Sequence, residues 1–183
     1  MKESLKEIFA RIGHFGEDIG CNDKGGTHCY VDTYDKLFER FRNGCSFMEL
    51  GLALGDSINL FDQYLENSEI VGVDLSIIFQ PKDYKNKVTL LASDCTKPEL
   101  LNLLGDKKFD IILDDASHME ADQIASFELL KHRMNPGGLY IIEDILALDQ
   151  NRHRFKALHP SCEIFDLRSV KNRFDDVIIC YRF

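Results

Sequence analysis

Two short stretches hold most of the groups in this sequence that could do chemistry: Asp114-Asp115-Ala116-Ser117-His118 and, after a later apolar run, Glu143-Asp144. Each follows residues of buried-strand type, so the two sets of carboxylates should close adjacent central strands and share a cleft. Acids crowded this way are costly unless a cation neutralises them. An all-oxygen donor set suits Mg²⁺, Ca²⁺ or Mn²⁺ better than zinc. His118 lies three residues past Asp115, and on a helical turn both side chains would face one cavity. An imidazole placed there could take a proton from a hydroxyl held at the cation. The plainer alternative is that these groups cap the helices that follow, and Asp114 alone fits capping better than catalysis.

A second constellation lies earlier, in Glu49-Leu50-Gly51-Leu52-Ala53-Leu54-Gly55-Asp56-Ser57. A strand, a glycine turn and a helix start let backbone N–H groups approach a ligand closely. A dinucleotide site would carry G-x-G-x-x-G and receive a pyrophosphate at the helix N-terminus. Here the spacing is Gly51, Ala53, Gly55, with Glu49 before the turn and Asp56 after it. Two carboxylates repel a pyrophosphate but suit a zwitterionic amino-acid tail. A tight strand-to-helix turn with no ligand is the competing reading. Asp74, followed by Leu75, closes the next apolar run roughly 20 residues on, where an acid accepts hydrogen bonds from ribose hydroxyls. Ser93-Asp94-Cys95 closes the third run, where Asp94 could hold an adenine amino group. Each is only a polar strand end by itself; in this order after Glu49-x-Gly51 they become specific.

The elements that must position these groups alternate in type. Leu5, Ile8, Phe9 and Ile12 recur at helical spacing, as do Tyr34, Leu37, Phe38 and Phe41, with loop composition from Gly13 to Tyr30 between them. Strands are predicted over 47–50, 70–74, 88–92, 109–113, 139–142, 163–167 and 177–181, the last two pairing as an antiparallel hairpin. Helices are predicted over 56–66, after the capping box Thr96-Lys97-Pro98-Glu99, and on the Ile124, Phe127, Leu130 face, stopping before Asn135-Pro136-Gly137-Gly138. Strands alternating with helices imply right-handed crossovers and a mostly parallel sheet, with the ligand edge at the strands' carboxyl ends. No repeat, low-complexity run or linker interrupts the chain, which predicts a single domain over 1–183: N-terminal helices and a lid loop over 1–44 and the sheet core over 45–183.

At 183 residues, 44% hydrophobic and 29% charged, the composition is that of one folded domain. A net charge of −9 opposes a polyanionic partner, so no nucleic acid is expected despite the small basic patch of Arg152, His153, Arg154 and Lys156. With no signal-like segment or membrane-length apolar run, the expected location is the cytoplasm, away from membranes. The six cysteines (Cys21, Cys29, Cys45, Cys95, Cys162, Cys180) form no Cys-x-x-Cys pair and are expected to be reduced. Apolar faces on the N-terminal helices would allow a homo-oligomer.

Four motifs together, Asp23-Lys24-Gly25-x-x-His28-x-Tyr30, Glu49-x-Gly51-x-x-x-Gly55-x-Ser57, Asp114-Asp115-x-Ser117-His118 and Pro136-Gly137-Gly138-x-Tyr140-x-Ile142-Glu143-Asp144, resemble the macrocin/mycinamicin type of sugar O-methyltransferases. The resemblance runs from about Asp23 to Asp144, and its Asp-Asp-x-Ser-His and Ile-Glu-Asp pieces are quite specific. It implies an α/β, Rossmann-like class I methyltransferase fold, with a mostly parallel seven-stranded sheet and a C-terminal antiparallel hairpin. It also implies Mg²⁺-dependent methyl transfer from S-adenosylmethionine to a sugar hydroxyl. Asp115, Glu143 and Asp144 would ligate the metal, His118 would be the general base beside Asp115, and Asp23 to Tyr30 would form part of a lid. Glu49, Gly51, Gly55, Ser57, Asp74, Leu75, Asp94, Cys95 and Asp114 make up the expected cofactor set. Antibiotic-tailoring members carry a large N-terminal auxiliary domain for which 183 residues leave no room, so a minimal form is expected. Its acceptor would be a sugar, a nucleotide-linked sugar or another small polyol.

Three other readings remain at this point. The acids could grip an acceptor directly in a metal-independent methyltransferase. The chain could be a non-catalytic module that binds the cofactor, although such a module has no use for His118 and its carboxylates. An NAD-dependent oxidoreductase is disfavoured by the glycine spacing.

Overall fold

The computed structural model of the chain describes residues 2–12, 23–80 and 83–183. The part of the expected lid loop over residues 13–22, with Cys21, lies outside the described residues. In chain order the elements are α1 (Leu5–Ile12), α2 (Val31–Phe38), β1 (Ser46–Leu50), α3 (Asp56–Tyr64), β2 (Glu69–Asp74), β3 (Lys87–Ala92), α4 (Glu99–Leu104) and β4 (Phe109–Asp114). There follow α5 (Glu120–Leu130), β5 (Met134–Ile142), α6 (Leu148–Leu158), β6 (Glu163–Asp166), the one-turn α7 (Arg168–Lys171) and β7 (Val177–Arg182).

The strands form one sheet in the order β3-β2-β1-β4-β5-β7-β6. The run from β3 to β5 is parallel, and β7 is antiparallel to both of its neighbours. The expected terminal hairpin is therefore present, and its second strand, β7, is the one that joins the parallel run. From β1 the chain moves outward to β2 and β3, then returns to the other side of β1 as β4. That reversal opens a crevice between the carboxyl ends of β1 and β4.

Successive strand residues point to opposite faces, and both faces are apolar. Phe47, Ile70, Ile111, Leu139 and Ile178 pack on one side with Tyr34 and Phe38 of α2 and Phe61 of α3. Met48, Val71, Ile112, Tyr140 and Ile179 pack on the other side with Leu100, Phe127 and Phe155. Helices thus cover both faces of the sheet, and its polar loops are left at the strand ends. Among the described residues no helix is long and apolar enough to cross a membrane, and Cys29, Cys45, Cys95, Cys162 and Cys180 are free thiols.

Two local expectations are corrected, and one helix was not foreseen. Residues 135–138 do not form a separate loop; β5 already starts at Met134, opposite Phe109, and a register shift before Ile111 absorbs the Pro-Gly-Gly stretch. The Thr96 capping box does not form, because Thr96 donates both its hydroxyl (2.6 Å) and its amide (2.9 Å) to Asp94 Oδ1, and α4 starts after Pro98. Helix α6 gave no apolar periodicity because only Leu148 and Phe155 on it are buried.

The crevice depends on one glycine. Gly51 has φ +83°, and a Cβ there would sit 2.1 Å from the backbone oxygen of Asp115. Asp115 N in turn donates to Leu50 O at 2.8 Å, locking the loops after β1 and β4 together. Gly51→Ala should therefore cost about 2 kcal/mol or more, from positive-φ strain and from a clash with backbone that cannot swing away. Urea unfolding measures it, and a midpoint equal to wild type would show that the two loops are not so closely apposed.

Candidate functional site

The turn after β1 is held open from β2. Asp74 accepts the Leu52 and Ala53 amides on Oδ2 at 2.7 and 3.3 Å and the Ser76 amide on Oδ1 at 3.3 Å. Beside it lies a cleft of about 310 Å³ whose lining includes Gly51, Asp74, Leu75, Asp94, Cys95 and Ala116. That volume falls at the small end of the ~300–1,000 Å³ usual for ligand sites. Five residues of the expected cofactor set thus share one wall. The other four are placed differently. Gly55 N-caps α3 with Ser57 on its first turn, and neither is among the residues lining the cleft. Glu49 and Asp114 are fully or almost fully buried. Asp114 turns inward, accepting from the Ser126 hydroxyl and, at 3.4 Å, from the Tyr140 hydroxyl, and burial pushes its carboxyl up to about 7.

At the ends of β4 and β5 the expected crowding of acids is present, and part of its neutralisation comes from within the chain. The completely buried Lys24 reaches in from the segment before α2. Its Nζ donates to Asp115 Oδ2 at 2.7 Å and Glu143 Oε2 at 2.8 Å, and stands 3.6 Å from Glu49 Oε1. Burial alone would lower this ammonium; the carboxylates of Asp115, Glu143 and Glu49 outweigh it and hold it well above the usual lysine value. Glu143 takes a second hydrogen bond from the Tyr34 hydroxyl, and its pKa is raised by burial and the neighbouring Asp115. Asp115 is held low against the cost of burial by Lys24 and His118. One ammonium thus faces three carboxyl groups, two of which, Glu143 and Glu49, are pushed toward the neutral form by burial.

The remaining acid oxygens face His118. Its Nε2 is 3.1 Å from Asp115 Oδ1 and 3.6 Å from Asp144 Oδ2. His118 is not on a helical turn. It precedes α5 in the left-handed region, at φ +58°, and this turn rather than helical spacing brings the ring back to Asp115. The hydrogen bond to Asp115 raises the imidazole pKa. Ligating atoms of Asp115, His118 and Asp144 all lie within 4.8 Å of one another. Two carboxylate oxygens converging at that spacing could hold a divalent cation, with the imidazole alongside. Glu143 stands outside this group, both its oxygens being engaged by Lys24 and Tyr34.

Behind Asp144 lies a further shell absent from the candidates drawn from strand ends. Asp144 accepts from the Tyr30 hydroxyl, and His28 Nδ1 lies 3.5 Å from Asp144 Oδ1 and 2.6 Å from Asp176 Oδ1. His28 stacks on Tyr30 with ring centroids 4.8 Å apart. Lys24, His28 and Tyr30 stand in a motif assigned only to a lid, Tyr34 was legible only as part of a helical stripe, and Asp176 carried no signal.

No family model matches the chain. Over 134 residues it is 31% identical to the 8-demethyl-8-alpha-L-rhamnosyl tetracenomycin-C 2'-O-methyltransferase of Streptomyces olivaceus, covering 68% of this chain and 35% of that protein. The demethylmacrocin O-methyltransferase of Streptomyces fradiae is 28% identical over 131 residues, 66% of this chain and 33% of its own length. Among solved structures, the MycE methyltransferase of the mycinamycin biosynthetic pathway, in complex with Mg and SAH, superposes with a TM-score of 0.63 at 26% identity. That match covers 79% of this chain and 38% of MycE. The sheet is therefore that of the methyltransferase fold, and the curated homologues are sugar O-methyltransferases. The chain spans about a third of the length of the curated relatives it matches.

Glu49 supplies a pH-dependent test of the buried cluster. Neither of its oxygens receives a well-formed hydrogen bond, and burial, opposed by Lys24, pushes it up to about 7. A carboxyl raised in the folded state stabilises the fold below its unfolded pKa, and that contribution is lost as pH rises through about 7. Wild-type stability should therefore fall relative to Glu49→Gln between about pH 5 and 8, at up to roughly 1.4 kcal/mol per pH unit. Denaturant titrations across that range would decide it; parallel curves would mean that Glu49 is ionised throughout.

Proposed function

We propose that this chain, a homologue of the sugar O-methyltransferases, transfers a methyl group from S-adenosylmethionine to a hydroxyl of a sugar or related small polyol, with Mg²⁺ or a similar dication at the acid cluster. One observation carries this reading: the loop after β4 serves two sites at once. Ala116 and Ser117 line the cleft, while Asp115 and His118, on either side of them, belong to the acid cluster. A methyl donor in the cleft and an acceptor at the acids would lie on the two sides of a single short loop.

The cofactor, when bound, supplies a methyl group on a sulfonium, open to in-line displacement. The dication supplies Lewis acidity to the acceptor hydroxyl. Positioning is the remaining task of the protein. Gly51 and Asp74 shape the turn against which the donor would rest, with Leu75, Asp94 and Cys95 along the nucleoside side. Asp115 and Asp144 would hold the cation through the oxygens that face His118. Glu143, engaged by Lys24 and Tyr34, fixes Lys24 and through it Asp115. His118, with more than a third of its side chain exposed, can meet an acceptor and take its proton.

A second reading, metal-independent methyl transfer, draws on Lys24. Its ammonium already bridges Asp115 and Glu143 and could stand in for the cation.

Calorimetry with SAH and turnover on a panel of sugars, glycosides and nucleotide sugars, with and without chelator, separates these readings. SAH binding should survive chelation while turnover collapses, and Asp144→Asn should behave likewise. His118→Ala should lower kcat by roughly 10²- to 10⁴-fold, the usual worth of a general base. Undiminished turnover after exhaustive chelation would transfer the site to the second reading, and failure to bind SAH would remove the methyltransferase assignment.

A further inference from the structure

The segment that delivers Lys24 is held from outside by a second lysine. Residues Asp23 to Tyr30 form a tight turn closed by His28 N donating to Asp23 O at 2.7 Å and Tyr30 N donating to Lys24 O at 2.9 Å. These bonds use the carbonyls of Asp23 and Lys24. The carbonyls of Gly25, Gly26 and His28 instead converge on Lys171 of α7, whose Nζ donates to them at 2.9, 2.6 and 2.7 Å. An ammonium has three protons, and here each meets one carbonyl of the same turn.

The turn cannot simply slide under this clamp. A Cβ at Gly25 would lie 2.7 Å from the Phe9 ring and 2.8 Å from the Val31 side chain, so the backbone is already in close contact on its inner side. The connection from β6 to β7, which carries Lys171, grips the turn at further points. Asp176 takes His28 Nδ1 at 2.6 Å and lies 3.3 Å from the Cys29 thiol, and the Asp175 carbonyl lies 3.2 Å from the Tyr30 hydroxyl. Lys171 itself is exposed and belongs to neither the cleft nor the acid cluster.

We propose that Lys171 is a positioning residue for the active site: by capping the outward carbonyls of the Asp23–Tyr30 turn, it holds the turn in the one placement that puts the Lys24 ammonium between Asp115 and Glu143. Its effect on turnover rests on the methyltransferase reading; its effect on Lys24 does not. Without the clamp, three carbonyls must find water, the turn loosens, and the buried ammonium no longer has a fixed path to the acids. Asp115 and Glu143 would then repel one another, and the oxygens facing His118 would lose their alignment.

The test compares wild type with Lys171→Met, Lys171→Gln and Lys171→Arg, without substrate or metal. Hydrogen exchange at the His28 and Tyr30 amides should accelerate by roughly tenfold or more in Lys171→Met and Lys171→Gln, while amides of β1 and β4 keep their protection. The Lys24 ammonium, buried and doubly hydrogen-bonded to carboxylates, should give a resolved ¹⁵N NMR signal in wild type. That signal should broaden or vanish in both neutral variants and return in Lys171→Arg, which keeps the charge and donors. Where turnover is measurable, kcat should fall with SAH affinity little changed. Unaltered exchange at His28 and Tyr30 together with an intact Lys24 signal in the neutral variants would overturn the proposal. So would loss of protection spread evenly over the sheet, which would make Lys171 a contributor to global stability alone.

Discussion

The buried ammonium of Lys24 is the interaction on which the rest of this site depends. Asp115 and Glu143 end adjacent parallel strands, and Glu49 ends the strand on the other side of β4, so the topology gathers carboxylates that would repel one another in a nearly dry interior. Burying a charge is tolerable only with a partner at hydrogen-bond distance, and removing one partner of such a group leaves a far larger penalty than the group ever returned as stability. Lys24 meets the requirement for Asp115 and Glu143 and only approaches it for Glu49. The oxygens of Asp115 and Asp144 that face His118 lie at the mouth of the cluster, where a dication would be drawn.

The sheet makes this arrangement possible because both of its faces are consumed by packing. Phe47 and Ile111 face one helical layer, Met48 and Ile112 the other, and polar side chains are accommodated at the strand ends. At the β1/β4 crossover the carboxyl ends diverge into the cleft, and Gly51 lets the two loops approach closely enough for one hydrogen-bonded frame to support both. Cleft wall and acid cluster are consequently one mechanical unit. A shift of the Asp115–His118 loop would move both together.

Strand ends and the glycine turn were legible because they are local: an apolar run closed by a carboxylate, or glycines at a strand-to-helix junction, carry their meaning within a few residues. The sheet class and the Gly51, Asp74, Leu75, Asp94, Cys95 wall followed from that. What escaped is non-local. Lys24 meets Asp115 and Glu143 across 91 and 119 residues, and His28 meets Asp176 across 148. No periodicity encodes such pairings, and a lysine in a glycine-rich turn looks the same whether it points to water or into a core. The inward rotation of Asp114 and the left-handed turn at His118 escaped for a related reason. Each is decided by a neighbour, Ser126 on α5 for the first and the Asp115 carboxylate for the second, rather than by the residue's own preference.

The distribution of backbone strain points the same way. Of the six non-glycine residues with positive φ among those described, Ala53, His118, Asp144 and Ala147 lie between +44° and +58°, a region uncommon for any residue but glycine. All four lie in the loops that follow β1, β4 and β5, on the edge that carries the cleft and the acids. Each costs of order 1–3 kcal/mol and persists only where the surroundings over-determine it. At Asp144 the surroundings are the Tyr30 hydroxyl and His28; at His118 they are Asp115 and Asp144; at Ala53 they are the Asp74 carboxylate. The strained residues and the groups that fix them are thus largely the same set that lines the site. Relaxing any of the three loops would release strain locally and lose polar contacts on a neighbouring loop at the same time. That mutual dependence keeps Asp115, His118 and Asp144 converging before any ligand arrives.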